Sequence, residues 1–393
     1  MGGIPYYWRL SGFYLFYFAL LGVLVPYWAV YLRDQGYVAA QIGVLMALPQ
    51  VTKLVAPNLW GWLADHSGRR MDIIRFGNLA AAISFATVFF ADQFWTMALV
   101  LVTFSFFWNA VLAQFEVVTL DVLGHRQNRY SHVRLWGSVG FIVAVFVMGQ
   151  ALDHVSASLV PWAILALLWL LWLATLMLPA AAAPVTRHES RRGLMQILRR
   201  RDVQVFLLCA FLMQMSHGPY YAFFTLYLDE LGWPRSWTGF LWALGVLAEV
   251  AVFLVMHRLL INTSLERMIQ WSLLLAAVRW LLLASLADSL PALLFAQLLH
   301  AASFGTFHAA CIPWVQRAFS GGHTGQGQAF YSSIGFGAGW AVGAMLTGWF
   351  WDRLAGHTFY VAAGVALLAT LISLALKPSA GSATLAGGKP PGD

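Results

Sequence analysis

The chain has 393 residues, of which 60% are hydrophobic and only 10% charged, against the roughly 25% charge of a soluble domain. That balance excludes a water-soluble globular fold. A net charge of +7 would suit a nucleic-acid partner, but the charges are spread along the chain in a way, described below, that excludes this.

Apolar windows such as Ile73 to Ala91 and Trp162 to Leu178 run for about 17 residues or more with at most one charged side chain, long enough to cross ~30 Å of hydrocarbon as a helix. Short segments of alternating polarity, which a membrane barrel needs, are not seen in the sequence. In chain order, the pattern predicts twelve helices, α1 to α12, near residues 8–32, 40–62, 72–91, 94–120, 133–152, 159–178, 203–228, 236–259, 267–286, 291–315, 326–350 and 357–376. The first is too long, and lacks the small-residue cleavage site, for a removable signal peptide.

The connecting segments alternate sharply in basic residues. One side carries Arg9, the runs Arg69 to Arg75, Arg126 to Arg134 and Arg187 to Arg201, then Arg258, Arg267, Arg317, Lys377 and Lys389, in all 18 of the 23 Lys and Arg. The other side has only Arg33, Arg235 and Arg353, and Lys53 and Arg279 fall within helices. This asymmetry predicts an inner-membrane protein with both termini in the cytoplasm. Cys209 and Cys311 both lie in apolar spans, so neither a structural disulfide nor a metal site is expected of them.

Two six-helix halves are expected, residues 1–178 and 203–376, joined by an Ala/Pro-rich then basic linker at 179–202 and followed by a disordered cytoplasmic tail at 377–393. An amphipathic stretch, Gly193 to Arg200, would lie on the cytoplasmic face. A short internal repeat supports the halves: Gly137-Ser-Val-Gly-Phe141 in α5 answers Ser332-Ser-Ile-Gly-Phe336 in α11, and each helix ends near an acid, Asp153 or Asp352. In α11, Gly335, Gly339 and Gly343 recur on one face, which lets helices approach closely.

Charges inside the bilayer call for a partner or a function. Glu116 lies seven residues after Asn109 on one face of α4, and Arg134 opens α5. Glu249, Arg279 and His300 fall in α8, α9 and α10, with His308 beyond. Glu and His exchange a proton at accessible pH, whereas Arg keeps its charge. Each lone His also suits a satisfied structural role. Lys53 in α2, near Gln50, either meets a carboxylate solute or, as the favoured reading, snorkels or joins a structural pair. Tyr14, Tyr17, Tyr220, Tyr221 and Trp242 add rings in α1, α7 and α8. Rings with Arg134, Arg279 and Lys53 suit an aromatic carboxylate, while Asn109, Gln214 and the tyrosines suit a nucleoside.

The segment Gly61-Trp-Leu-Ala-Asp65-His-Ser-Gly68-Arg69-Arg70 between α2 and α3 resembles the G-x-L-a-D-x-x-G-R-R signature of the major facilitator superfamily. Its glycines allow a tight turn, Asp65 suits a helix N-terminus, and Arg69 and Arg70 can pair with acids, together a latch that opens and closes one side. Ser216-His217-Gly218-Pro219-Tyr220-Tyr221-Ala222-Phe223-Phe224, Leu241-Trp242-Ala243-Leu244-Gly245-Val246-Leu247-Ala248-Glu249 and Val133-Arg134-Leu-Trp136-Gly137-Ser138 resemble the phenylpropionate permease group, relatives of lactose permease and nucleoside:proton symporters. The resemblance runs from about Tyr6 to α12. It implies an all-α, twelve-helix fold in two pseudo-symmetric bundles, a monomer, and proton-coupled uptake of a small organic solute without a cofactor. It further implies a substrate pocket around Glu116, Arg134, Asn109, His217, Tyr220, Tyr221 and Trp242, or a structural Glu116–Arg134 pair. Proton coupling would fall to Glu249, Arg279, His300 and His308. One departure stands out: lactose permease has an acid one turn after its His, and this chain has Ser303.

Other classes fit less well. An ion channel needs a filter or a ring of pore charges, an enzyme needs a nucleophile–base set or a metal motif, and an ATP-driven pump needs a phosphate loop; none is found in the sequence. A solute sensor built on the same fold would bind without flux.

Overall fold

The structure, a computed structural model, describes residues 6–178, 193–320 and 322–377. Most of the expected linker, residues 179–192, and the tail beyond Lys377 lie outside the described residues. Within the stretch Gly193 to Arg200 a short helix forms at Leu194–Leu198.

Twelve helical spans are found among the described residues. α1 is Tyr7–Asp34, α2 is Ala39–Thr52 continued by Ala56–Ser67, and α3 is Arg70–Ala86. α4 is Phe94–Trp108 and Val111–Leu123, α5 is Tyr130–Leu152, and α6 is Leu159–Leu176. α7 is Arg201–Ser216 and Gly218–Glu230, α8 is Arg235–Asn262, and α9 is Leu265–Leu286. α10 is Leu290–His300 and Thr306–Ala318 about a π turn, α11 runs from Thr324–Tyr331 through a π segment to Trp340–Leu354, and α12 is Thr358–Ser373. In hydrocarbon a helix satisfies every interior backbone group within itself, which is why these apolar runs take no other form.

The sequence pattern did not reveal where the helices break. α2 opens at 53–55, where the amides of Lys53, Leu54 and Val55 bond carbonyls only three residues back, Gln50, Val51 and Thr52, at 3.2, 3.0 and 3.2 Å. Pro49 and Pro57 flank the opening, and Pro57 has no amide proton to continue the ladder. α4 opens at Asn109, whose side-chain amide donates to Pro49 O at 2.7 Å and Thr52 Oγ1 at 2.8 Å. α7 opens at His217, just before Gly218 and Pro219. π turns interrupt α10 at Ala301–Gly305 and α11 at Ser332–Gly339, a form that tends to mark functional sites. By contrast α6, α9 and α12 run unbroken.

The chain divides into two compact units. The first holds α1 to α6 together with Gly218–Ala243 and Trp340–Ala355. In it α1 lies along α5 and α6, and α2 lies along Trp340–Leu354. A Cβ placed on Gly43 would come within 2.7 Å of Ala344 O and 2.9 Å of Gly348 Cα, so α2 and α11 touch backbone to backbone. The second unit holds Glu189–His217, Leu244–Gly339 and Gly356–Asp393. There α9 packs on α12, and the first part of α7 packs on α12 and the π segment of α11. A Cβ on Gly339 would sit 2.5 Å from Phe211 O. Cys209 and Cys311 are both buried in this unit as free thiols.

Candidate functional site

The signature turn folds as a local charge cluster of the first unit. Gly68 takes the left-handed conformation, φ 64°, that ends α2. Arg70 is buried; it donates to Asp65 Oδ1 at 2.5 Å and to Gln114 of α4. Gly61 is closely approached by Gln114, 3.2 Å from where a Cβ would lie. Arg69 stays exposed and pairs with Asp72, one turn along α3, at 2.8 Å. Arg75 and Arg9 donate to Leu178 O and Met177 O at 2.6 and 2.9 Å, placing cations on the carbonyl end of α6.

Deeper in this unit Glu116 and Arg134 come together, Oε1 to Nε 4.0 Å, with side chains 38% and 32% exposed. Tyr130, four residues before Arg134, donates to Glu116 Oε1 at 3.2 Å. The guanidinium also lies over Phe18 at 3.9 Å and Tyr14 at 5.5 Å. Gly137 makes room for it, since a Cβ there would meet Arg134 Nη1 at 2.7 Å and Phe18 at 2.8 Å. Tyr14 is held by Thr119 at 3.0 Å, and Tyr17 stacks on Trp108 with centroids 5.0 Å apart. Phe18 and Tyr130 escaped the sequence reading; the i, i+4 spacings Tyr14–Phe18 and Tyr130–Arg134 were the available signal. The side-chain nitrogen of Asn109 bonds at the break of α2, and its Oδ1 meets no described hydrogen-bond partner.

A second ring cluster gathers side chains from five helices. Tyr220 lies 4.5 Å from Trp242 and 5.4 Å from Tyr221, Tyr221 lies 4.7 Å from Trp340, and Trp242 lies 6.5 Å from Phe141, centroid to centroid. Lys53 Nζ sits 5.3 Å over Trp340. Lys53 is the central residue of the span Ala39–Ser67, and it pairs with no described carboxylate, so the structural pair that the sequence offered for it is not formed among the described residues.

The second unit brings Arg279 and His300 together. Arg279 is fully buried and donates from Nε to Ala296 O at 2.9 Å, from Nη2 to Gln297 Oε1 at 3.3 Å, and from Nη1 to His300 Nδ1 at 3.0 Å. His217 joins this cluster, edge-on to Trp280 at 4.8 Å and 6.5 Å from His300. Glu249 lies against the π turn of α10, its Cγ 2.9 Å from where a Cβ on Gly305 would be. One turn earlier on α8, Gly245 faces Gln297 and His300 in the same way, at 3.3 and 3.4 Å. Ser303 bonds back to His300 O at 3.3 Å. His308 instead bonds the Tyr331 hydroxyl at 3.1 Å. Among the described residues no three His, Cys, Asp or Glu side chains group as a metal site would require.

At the end of the first unit opposite Asp65 lies an ionic cluster that the sequence did not reveal. Asp229 Oδ2 accepts from Arg33 at 2.6 Å and from Arg235 at 3.1 Å. Asp153, the acid noted after the glycine helix α5, caps the start of α8 by accepting from the amides of Arg235 at 2.7 Å and Ser236 at 3.3 Å. A Cβ on Gly149 would sit 3.1 Å from Gly239 Cα just below.

A model of the MFS_1 like family matches residues 7–362. The chain is 27% identical over 385 residues to the "Probable 3-phenylpropionic acid transporter" of Escherichia coli (strain K12), covering 95% of this chain and 98% of that one. It is 28% identical over 360 residues to the maltose permease of Geobacillus stearothermophilus, covering 88% of each. The crystal structure of nucleoside transporter NupG matches with a TM-score of 0.83 at 17% identity, over 95% of this chain and 99% of that chain, a likeness of fold alone. With a family match over nearly its whole length and ten helices among the described residues long and apolar enough to cross a membrane, the chain belongs to the MFS_1 like family and is a multi-pass membrane transporter of the major facilitator type.

Proposed function

We propose that this transporter is a proton symporter that takes up a small organic acid with an aromatic body, acting as a monomer in the bacterial inner membrane with both termini in the cytoplasm. The observation that carries the coupling is the bond between Arg279 Nη1 and His300 Nδ1 at 3.0 Å. Guanidinium groups only donate, so Nδ1 accepts and the ring proton sits on Nε2. A proton arriving at Nδ1 meets Arg279 and ends that bond, which gives α9 and α10 two arrangements for a transport cycle to alternate between. Glu249, against the π turn beyond His300, is the group that would exchange with the displaced guanidinium. The rings of Tyr220, Tyr221 and Trp242 suit an aromatic body, and the Glu116–Arg134 pair suits polar groups of the solute. The relative named for 3-phenylpropionic acid supports the same class.

Alternating access follows from the two charge clusters. The halves 1–178 and 203–376 would rock about the bound solute. The Asp229 cluster closes the external side, and the turn around Asp65 governs the cytoplasmic side. Uptake of labelled 3-phenylpropionate into proteoliposomes under an imposed pH gradient tests the reading, with a nucleoside and maltose alongside. Accumulation of the aromatic acid that collapses with an uncoupler is the expected result. Accumulation of the nucleoside or the sugar would refute the aromatic acid while keeping the coupling. Binding of a solute without flux would make the chain a sensor.

A further inference from the structure

Lys53 presents an unusual situation: an ammonium at the centre of a membrane span with no counter-ion among the described residues. Buried cations in transmembrane helices are kept where they pair or act. Arg134 has Glu116 and a phenyl face, and the guanidinium of Arg279 bonds three acceptors. Lys53 has only weak support. The ring of Trp340 lies below it, and its backbone caps the first segment of α2, whose carbonyl end carries partial negative charge. The opening of α2 at 53–55 puts it where continuous helix would otherwise pass. Gln50, one turn earlier, is likewise buried with an amide oxygen that no described residue satisfies. Next to this cation stands a ring wall, with Tyr221 on Trp340, Tyr220 on Tyr221 and Trp242 on Tyr220.

We propose that Lys53 is the carboxylate receptor of this transporter: in the opening of α2 its ammonium takes the acid group of the solute, while Trp340, Tyr221, Tyr220 and Trp242 hold the apolar body. The assignment rests on the aromatic-acid reading only for the body of the solute, not for its acid group. It makes Lys53 a specificity residue, separating acids from neutral solutes of the same shape.

The test compares binding of 3-phenylpropionate with that of its neutral amide, 3-phenylpropanamide, to purified full-length protein and to Lys53→Gln and Lys53→Arg, with hexanoate, gluconate, a nucleoside and maltose as further ligands. The parent should prefer the acid to the amide. Lys53→Gln should weaken acid binding about 30-fold or more and leave amide binding unchanged, and Lys53→Arg should retain the preference. The chain has three lysines, Lys53, Lys377 and Lys389, so acylation by a membrane-permeant amine reagent gives a readout that needs no variant: the acid, and not the amide, should protect Lys53 while leaving Lys377 reactive. Acid preference that survives Lys53→Gln, equal loss of acid and amide, or no protection of Lys53 each overturns the proposal and leaves the aromatic-acid reading standing. Preference for hexanoate or gluconate that Lys53→Gln erases upholds Lys53 and removes the aromatic body. Binding of the nucleoside or maltose with no acid bound sinks both.

Discussion

At the scale of single residues, the informative side chains are those whose surroundings leave no slack. Arg279 bonds three acceptors at once in a buried site, and removing it gives up three hydrogen bonds worth about 0.5–1.5 kcal/mol apiece. Arg279→Ala is expected to abolish pH-driven accumulation while the protein still reaches the membrane; normal accumulation in vesicles would reject its coupling role. Gly137 tests the other cluster. A methyl group there meets Arg134 Nη1 and Phe18 at 2.7 and 2.8 Å, and the guanidinium, as the flexible partner, gives way. Overpacking of about 1 kcal/mol corresponds to a rise of roughly fivefold in KM for Gly137→Ala, with kcat little changed. A KM equal to that of the parent would place the solute away from Arg134.

At the scale of elements, many of the candidate residues lie where helices are interrupted. α2, α4, α7, α10 and α11 open or form π turns beside Lys53, Asn109, His217, His300 and Trp340, while Arg134, Trp242, Glu249 and Arg279 reach the same clusters from the unbroken α5, α8 and α9. Asn109 shows why an opening persists, since its amide staples Pro49 O and Thr52 from the neighbouring helix. Asn109→Ala should lower the melting temperature in detergent, losing two hydrogen bonds worth about 0.5–1.5 kcal/mol each, and leave KM near the parent value. A large rise in KM without a stability loss would support the solute contact that the sequence assigns to Asn109. The twelve spans were legible because each is an unbroken count of apolar residues, and Glu116–Arg134 and Arg279–His300 because buried charges are few. The openings were not, since Pro26 leaves α1 continuous whereas Pro49 and Pro57 flank a gap; the difference lies in partners far away in sequence. The same holds for Asp229. Its place in the chain marked it as one more acid beside a loop, and only the approach of Arg33, 196 residues away, puts it at the centre of an ionic cluster.

At the scale of the whole molecule, the closure proposed at Asp229 predicts a conformational bias. Asp229→Asn removes the charge that holds Arg33 and Arg235, and charge-assisted hydrogen bonds are worth about 1.5–3 kcal/mol, enough to move a two-state population by about tenfold or more. Spin labels on Gln35 and Leu231 should report a longer distance in the variant than in the parent, and an unchanged distribution would show that the backbone contacts at Gly43–Gly348 and Gly149–Gly239 suffice. The divided α7 bears on how the molecule is made. Its pieces of 16 and 13 residues are each shorter than the ~20 residues a lone span needs, and His217 and Pro219 lie where a nascent helix would meet lipid. During synthesis, therefore, α7 should wait at the translocon until α8 has emerged. A chain of residues 201–233 alone, made in the presence of inner-membrane vesicles, should stay extractable by alkali, and one of residues 201–262 should not. The second half of the protein would then enter the membrane as a helical pair, not one span at a time.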